Sequence, residues 1–332
     1  MDLIRPTDPR SAFPERATPS VRRVMHLDYD WIDAVDVHVI GAARDEVTDA
    51  DGTLHIVHDA AVDVTTEQGM IRELAIEPAA FDVSPLLGQP LRLGFRGRVR
   101  PLYDAGGRPL GLLLDDLPGA MIAAGYVLAM ERTIGPATPT DGMTLSSRDG
   151  DELPRGYHQA DLCSGWRADG TMMTAVYAGE ILPFEPVAPV PALPEGAGWP
   201  EVPIAVPGLR RHRRIDVVPD GREWRVDAWF RDTYRDSGGA HGSLHEYTVD
   251  LVVDARDRTV LDVRAIPHAL PWSECPAAAE AVAKLVGQPV DGLRSAVPKV
   301  LQGIESCTHL TNELRELADL PALVASLTNA AG

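Results

Sequence analysis

Residues 223–234 alternate, with Trp224, Val226, Ala228 and Phe230 on one side and polar or charged neighbours on the other, the period-two pattern of a half-buried strand. Residues 244–253 and 260–266 continue that pattern, and the Asp257-Arg258 pair between them predicts a hairpin. The Gly-rich stretch 237–242 predicts a looser turn before it. From Pro276 the chain changes character. Segments 277–286, 293–301 and 308–327 favour helix, and Leu310, Leu314 and Leu317 in the last recur at helical spacing. Strands first and helices after describe an α+β unit, an antiparallel sheet with helices packed on one face.

The same unit is expected twice. Leu86-Leu87-Gly88-Gln89-Pro90 repeats as Leu285-Val286-Gly287-Gln288-Pro289, His55 falls where His245 does, and Leu114-Asp115-Asp116-Leu117 lies opposite Cys307-Thr308-His309-Leu310. Such collinear self-similarity predicts two tandem duplicated modules, 21–130 and 209–330. Residues 1–20, rich in Pro, Arg and Asp without periodicity, read as a disordered arm. Residues 131–208, with prolines at 183, 186, 189, 191, 194, 200, 203 and 207, read as an irregular connection.

Composition narrows the function. Lys plus Arg number 31 against 49 Asp plus Glu, a net charge of −18, which repels phosphate backbones and anionic membrane surfaces. The longest apolar stretch, 119–130, is too short for a bilayer span, and no signal-peptide core opens the chain. A cytoplasmic protein is expected, with no nucleic-acid or membrane partner, acting as a monomer or homodimer. Three cysteines, Cys163, Cys275 and Cys307, are too few for a disulfide framework.

Two of those cysteines stand where thiols acquire chemistry. Cys275 precedes Pro276 and an Ala-rich run, and Cys307 opens the last helix; helix starts favour thiolate through their partial positive charge. His245 stands on the preceding strand beside Glu246, and Asp232 ends the strand before that. One imidazole and two thiolates, His245, Cys275 and Cys307, make a three-ligand set for Zn or, alternatively, Fe. Asp232, Glu246 and His309 are the candidate catalytic groups. The same residues could instead form a metal-free thiol or acid-base site, or be core residues. Elsewhere, Asp115 and Asp116 read as helix caps. Arg210 to Arg214 could anchor an anionic group or be ordinary strand charges. Cys163 could drape over the site or pack.

The run Cys307-Thr308-His309-Leu310, with Leu244-His245-Glu246, Cys275 and residues 285–289, resembles a bacterial family of unassigned function that carries a C-terminal Cys-Thr-His-Leu. More distantly, the second module resembles the U-type iron-sulfur scaffold proteins, whose three ligand places fall at His245, Cys275 and Cys307. The first of these is a cysteine in the scaffolds. With fewer thiolates, the resemblance implies a single Zn or Fe rather than a transferable cluster. The expected function is a metal-dependent enzyme acting on a small hydrophobic or aromatic catabolic intermediate. A lyase cleaving a carbon-carbon bond by retro-aldol chemistry is ranked slightly above a hydrolase, with non-enzymatic metal or cluster handling as the alternative.

Overall fold

The computed structural model describes residues 5–33, 36–91, 94–104, 108–119, 159–178, 186–193 and 204–330. Eight strands, β1 (Ser20–Trp31), β2 (Val37–Thr48), β3 (Leu54–Glu67), β4 (Met70–Glu77), β5 (Gly208–Pro219), β6 (Glu223–Arg235), β7 (His241–Asp254) and β8 (Val260–Ala269), form one antiparallel sheet. Its order is β4-β3-β2-β1-β5-β6-β7-β8. Two four-strand meanders thus run outward from a shared seam, where β1 pairs with β5 and His26 sits opposite His212. The expected pair of sheets is corrected to one, because the first strand of each half pairs with the other.

Helices cover one face: α1 (Phe95–Asp104), α2 (residues 110–119), α3 (Thr171–Tyr177), α4 (Ala277–Ala281), α5 (Leu293–Val300), α6 (Thr308–Glu316) and α7 (Leu320–Ala330). The helix expected over 308–327 is broken between α6 and α7 by a short 3-10 turn, Leu317–Asp319. Pro321 follows that break, where its missing N–H is tolerated in a first helical turn. The helix α6 packs on β6 and β7, whereas α7 crosses the seam onto β1, β2, β3 and β5. Two apolar cores result, one under each half.

The repeated pentapeptide does the same work at both edges of the sheet. At β4, Ile71 N donates to Gln89 O (2.9 Å) and Gly88 N to Ile71 O (2.8 Å); at β8, Val260 N donates to Gln288 O (2.9 Å) and Gly287 N to Val260 O (2.8 Å). Leu86 and Leu285 are buried, and Gly88 and Gly287 take left-handed φ of 69° and 84°. Each motif turns the chain back so that it completes the edge strand.

The expected disordered arm is also corrected. Residues 5–19 form a strap over the sheet face opposite the helices, with Asp8 N donating to His268 O at 2.9 Å and Leu270 N to Pro6 O at 3.3 Å. Composition missed it because its anchors are a few polar residues rather than a periodic apolar face. Part of the Pro-rich connection is ordered as well: α3 is helical, and Val187 pairs with Ser243. Residues 120–158 and 194–203 lie outside the described residues, as does most of the 119–130 stretch.

A Cβ in the left-handed region costs roughly 1–2 kcal/mol. Gly88→Ala and Gly287→Ala are therefore each expected to lower stability by about that amount, read from urea midpoints at unchanged slope; equal losses at the two edges test their equivalence.

Candidate functional site

The site grows from β5, the strand whose sequence Arg210-Arg211-His212-Arg213-Arg214 shows no apolar alternation although it is central. Side chains alternate across a strand, so Arg211 and Arg213 enter the helix layer while Arg210 and Arg214 point the other way. The first two meet carboxylates from three elements. Arg211 donates to both oxygens of Asp232 on β6 (2.6 and 2.8 Å) and to Asp116 on α2 (3.0 Å). Arg213 donates to Asp116 (2.9 and 3.0 Å), to Glu313 on α6, and lies 3.2 Å from Glu316. All six groups are buried.

These partners account for Asp115, Asp116 and the basic run. Asp116 stands inside α2 rather than capping it, and Asp115 lies 3.4 Å from Arg294 and 3.3 Å from Arg315. The run 210–214 is committed to ion pairs: Arg210 with Asp28, and Arg214 with Asp216 and Asp227. His55, expected to correspond to His245, sits partly exposed on β3, 3.0 Å from Asp49; the residue placed opposite Asp45 as His245 is opposite Asp232 is His58, 3.2 Å from that carboxylate.

His245 pairs across from Asp232 on the neighbouring strand, and its Nδ1 lies 3.4 Å from Asp232 Oδ2. From α6, His309 brings Nε2 to 3.9 Å from the same oxygen. The two imidazoles stack with centroids 3.7 Å apart and planes 17° from parallel. One donor atom from each of Asp232, His245 and His309 lies within 4.8 Å of the others. Two donors on a tetrahedral ion with bonds of about 2.1 Å stand about 3.4 Å apart, so small side-chain movements would close the set on one ion.

Electrostatics prepares these groups as ligands. Burial alone would raise the Asp232 pKa, but the Arg211 charge and hydrogen bonds, with His245, hold it well below the usual carboxylate range. Burial, reinforced by His245, drives His309 well below its ordinary value, leaving a neutral imidazole. His309 Nε2 makes no hydrogen bond to a described residue.

The cysteines come near but stand outside this set. Cys307 is the N-cap of α6, with Sγ 4.0 Å from His309 Nδ1. Burial raises its pKa against the N–H groups of Leu310 and His309, which lower it; the thiolate expected from a helix start is opposed by desolvation. Cys275 precedes the Pro276 N-cap of the short α4, and burial with Cys307 and Cys163 pushes it up as well. Cys163 is held beside both, because Ser164 N donates to Ser306 O at 2.8 Å and Ser164 Oγ to Cys275 O at 3.1 Å. Its thiol is pushed up to about 12 by burial and by Cys307. The structure therefore gathers His245 with Asp232 and His309, and the three cysteines with one another around Tyr247, whose hydroxyl donates to Cys275 O at 3.4 Å.

Glu246 is not brought to the site. Neighbouring residues on a strand face opposite ways, and Glu246 accepts instead from Trp229 (2.8 Å), Arg231 (2.9 Å) and the Arg10 amide (3.0 Å) across the sheet. Sequence reasoning read Asp116 as a helix cap and Arg211 and Arg213 as part of an anion anchor or ordinary strand charges, and passed over Glu313 and Glu316. A signal was present in the stripe His309, Asn312, Glu313 and Glu316, which repeats at helical spacing beside Leu310, Leu314 and Leu317 and is buried with them.

Residues 209–322 match the family model described as a protein of unknown function (DUF2889), a span that runs from β5 into α7 and holds Asp232, His245, His309, Cys275 and Cys307, with Cys163 and Asp116 outside it. No curated protein and no solved structure matches the chain. Among the described residues no helix is long and apolar enough to cross a membrane.

Two cations and four carboxyls share the Arg211–Arg213 cluster, so its acids are not all equally stabilised as carboxylates. Burial raises Glu313 from 4.5 to about 7, despite Arg213, and raises Glu316 in the same direction. Between 4.5 and about 7 the folded chain keeps a Glu313 proton that the unfolded chain has lost, so stability falls as pH rises through that window. Asp116, lowered to about 2, acts oppositely and withdraws stability only as pH falls below 3.8. Urea midpoints are expected to decline from about pH 5 to about pH 8, and Glu313→Gln should flatten that decline.

Proposed function

We propose that this chain is a metal-dependent enzyme whose centre is Asp232, His245 and His309 and whose substrate is a small molecule. The observation that carries this reading is the buried convergence of one carboxylate and two imidazoles from β6, β7 and α6. Two neutral nitrogens and one carboxylate suit Zn2+ or Fe2+. Compared with a thiolate-rich set, these donors leave a bound cation more Lewis acidic, so carbonyl polarisation and activation of a hydroxyl or water are the chemistries such an ion supplies. A retro-aldol lyase and a hydrolase both use that capacity, and the lyase reading for a hydrophobic or aromatic intermediate is retained as ours.

This chain's own residues have definable parts. Arg211 fixes Asp232 through two parallel hydrogen bonds, an arrangement that orients a ligand as well as neutralising it. Cys307, 4.0 Å from His309 Nδ1, is placed to orient that ring or to exchange a proton at its nitrogen. With Glu246 on the other face, the acid-base duty falls to groups on α6.

A second reading, non-enzymatic metal or iron-sulfur handling, is favoured by one observation: hydrogen bonds from Ser164 hold Cys163 beside Cys275 and Cys307. We also read the two meanders as a duplicated unit, supported by the equivalent hydrogen bonds of the two pentapeptides.

Elemental analysis of untagged chain is expected to give one equivalent of divalent metal, lost in His245→Ala and His309→Ala and kept in Cys275→Ala. Arg211→Lys, which preserves charge but not the paired donors, should weaken binding about 10- to 100-fold. Sulfur-to-iron absorbance in protein purified without oxygen, abolished by Cys275→Ala, would support the handling reading in its place.

A further inference from the structure

At Gly119, the last described residue of α2, nitrogen donors from three other elements converge. A Cβ added to Gly119 would stand 2.3 Å from Asn312 Nδ2 on α6, 3.0 Å from Arg211 Nη1 on β5 and 3.0 Å from Arg96 Nη2 on α1. Any side chain there would press on all three, so the position calls for glycine. Asn312 is buried, and neither its Nδ2 nor its Oδ1 has a hydrogen-bond partner. Arg96 donates through Nε to the Asp115 carbonyl at 2.8 Å, and its terminal nitrogens make no hydrogen bond to a described residue.

A buried amide unpaired at both ends is costly to the fold, and this one lies beside two guanidinium groups. Arg211 is committed to Asp232 and Asp116. Arg96 is not: the Asp115 carboxylate stands 3.8 Å from its Nε and is shared with Arg294 at 3.4 Å and Arg315 at 3.3 Å. Burial and the charges of Arg315 and Arg211 lower the Arg96 pKa even though Asp115 opposes them. One guanidinium with free ends matches a single negative charge in a planar group, a carboxylate, better than it matches a phosphate of nearly two charges. Arg96 is also the member of the set that reaches solvent, its side chain 29 % exposed.

Resting on the metal-enzyme reading above, we infer that Arg96, Arg211 and Asn312 hold a carboxylate of the substrate, and that a hydroxyl beside this carboxylate donates to Asn312 Oδ1. The substrate class is then a hydroxy monocarboxylic acid that enters past Arg96. Asn312 follows His309 by one turn of α6, a spacing of about 5–6 Å, and Arg211 also grips Asp232. The pocket thus fixes the anionic end of the substrate one helical turn from the candidate centre and turns the rest of the molecule toward His309. Arg96 and Gly119 lie outside the matched span 209–322, so the first half of the chain supplies specificity to a centre built wholly by the second.

Calorimetry on the full chain tests this with mandelate, an aromatic acid whose hydroxyl stands next to its carboxylate, and with mandelamide, its uncharged counterpart. Mandelate is expected to bind wild type, and Arg96→Gln and Asn312→Leu should each weaken it about 10- to 100-fold, the range for a hydrogen bond to a charged group. Mandelamide should bind wild type more weakly than mandelate by a similar factor. Asn312→Leu is also expected to keep or raise the urea midpoint of the ligand-free chain, because an apolar group of similar shape replaces an unpaired buried amide. A lowered midpoint would show that the fold itself uses the amide and would overturn the proposal, as would mandelate binding that is absent, indifferent to Arg96 or equalled by mandelamide. Elemental analysis of the same preparations keeps the two readings apart. A chain that holds metal but shows no Arg96-dependent binding sinks the carboxylate pocket alone, whereas Arg96-dependent binding in a chain that takes up no metal sinks the enzyme reading and leaves the pocket standing.

Discussion

A central strand that carries two arginines into a covered layer imposes a strict condition, because each guanidinium must find carboxylates there or the fold is strongly disfavoured. Leaving such a charge without its partner costs several kcal/mol, so the positions of α2, β6 and α6 are tied to β5 through Asp116, Asp232, Glu313 and Glu316. Apolar packing holds the two halves on either side of this cluster. The ionic cluster sets which helix face turns inward. Without Arg213, α6 could bury its leucine stripe while turning His309 and Glu313 toward water.

The candidate centre inherits its properties from that condition. Asp232 stays ionised because Arg211 grips it, and Oδ2, the oxygen shared with His245 and His309, also accepts from Arg211 at 2.8 Å. The His309 ring, stacked 3.7 Å from its neighbour in a dry layer, is held neutral by burial and so keeps a lone pair ready on one nitrogen. The acids of α6 sit one and two turns beyond His309, and their protonation is tied to Arg213 and Asp116.

Much of the second half was legible in the sequence. Strands β6 to β8, the helical character of residues 277–327 and the thiols near helix starts can all be read from periodicity and proline placement. The pentapeptide repeat points to two equivalent places without any knowledge of the sheet. The features that escaped reading did so for physical reasons. Five consecutive ionisable or polar residues give β5 no period-two signature, because its charges are buried in pairs and do not alternate with apolar groups. The strap lacks periodicity because three residues do most of its anchoring. Glu246 belongs to the opposite side of the sheet from the site, and alternation alone separates it from His245. Which donors converge depends on the stacking of α6 against β7, a tertiary relation that spacing in sequence does not encode.

The pentapeptides at the two margins of the sheet bear on how the molecule behaves in a crowded solution. A sheet of eight antiparallel strands has two outermost strands, and exposed outer strands recruit neighbours and seed fibres. Here the backbone groups at the start of β4 and of β8 are already engaged by the Gly-Gln peptide of each turn. Both ends of the ladder are thereby capped at the same relative position, which shortens the run of backbone groups that each outermost strand can offer to a neighbouring molecule.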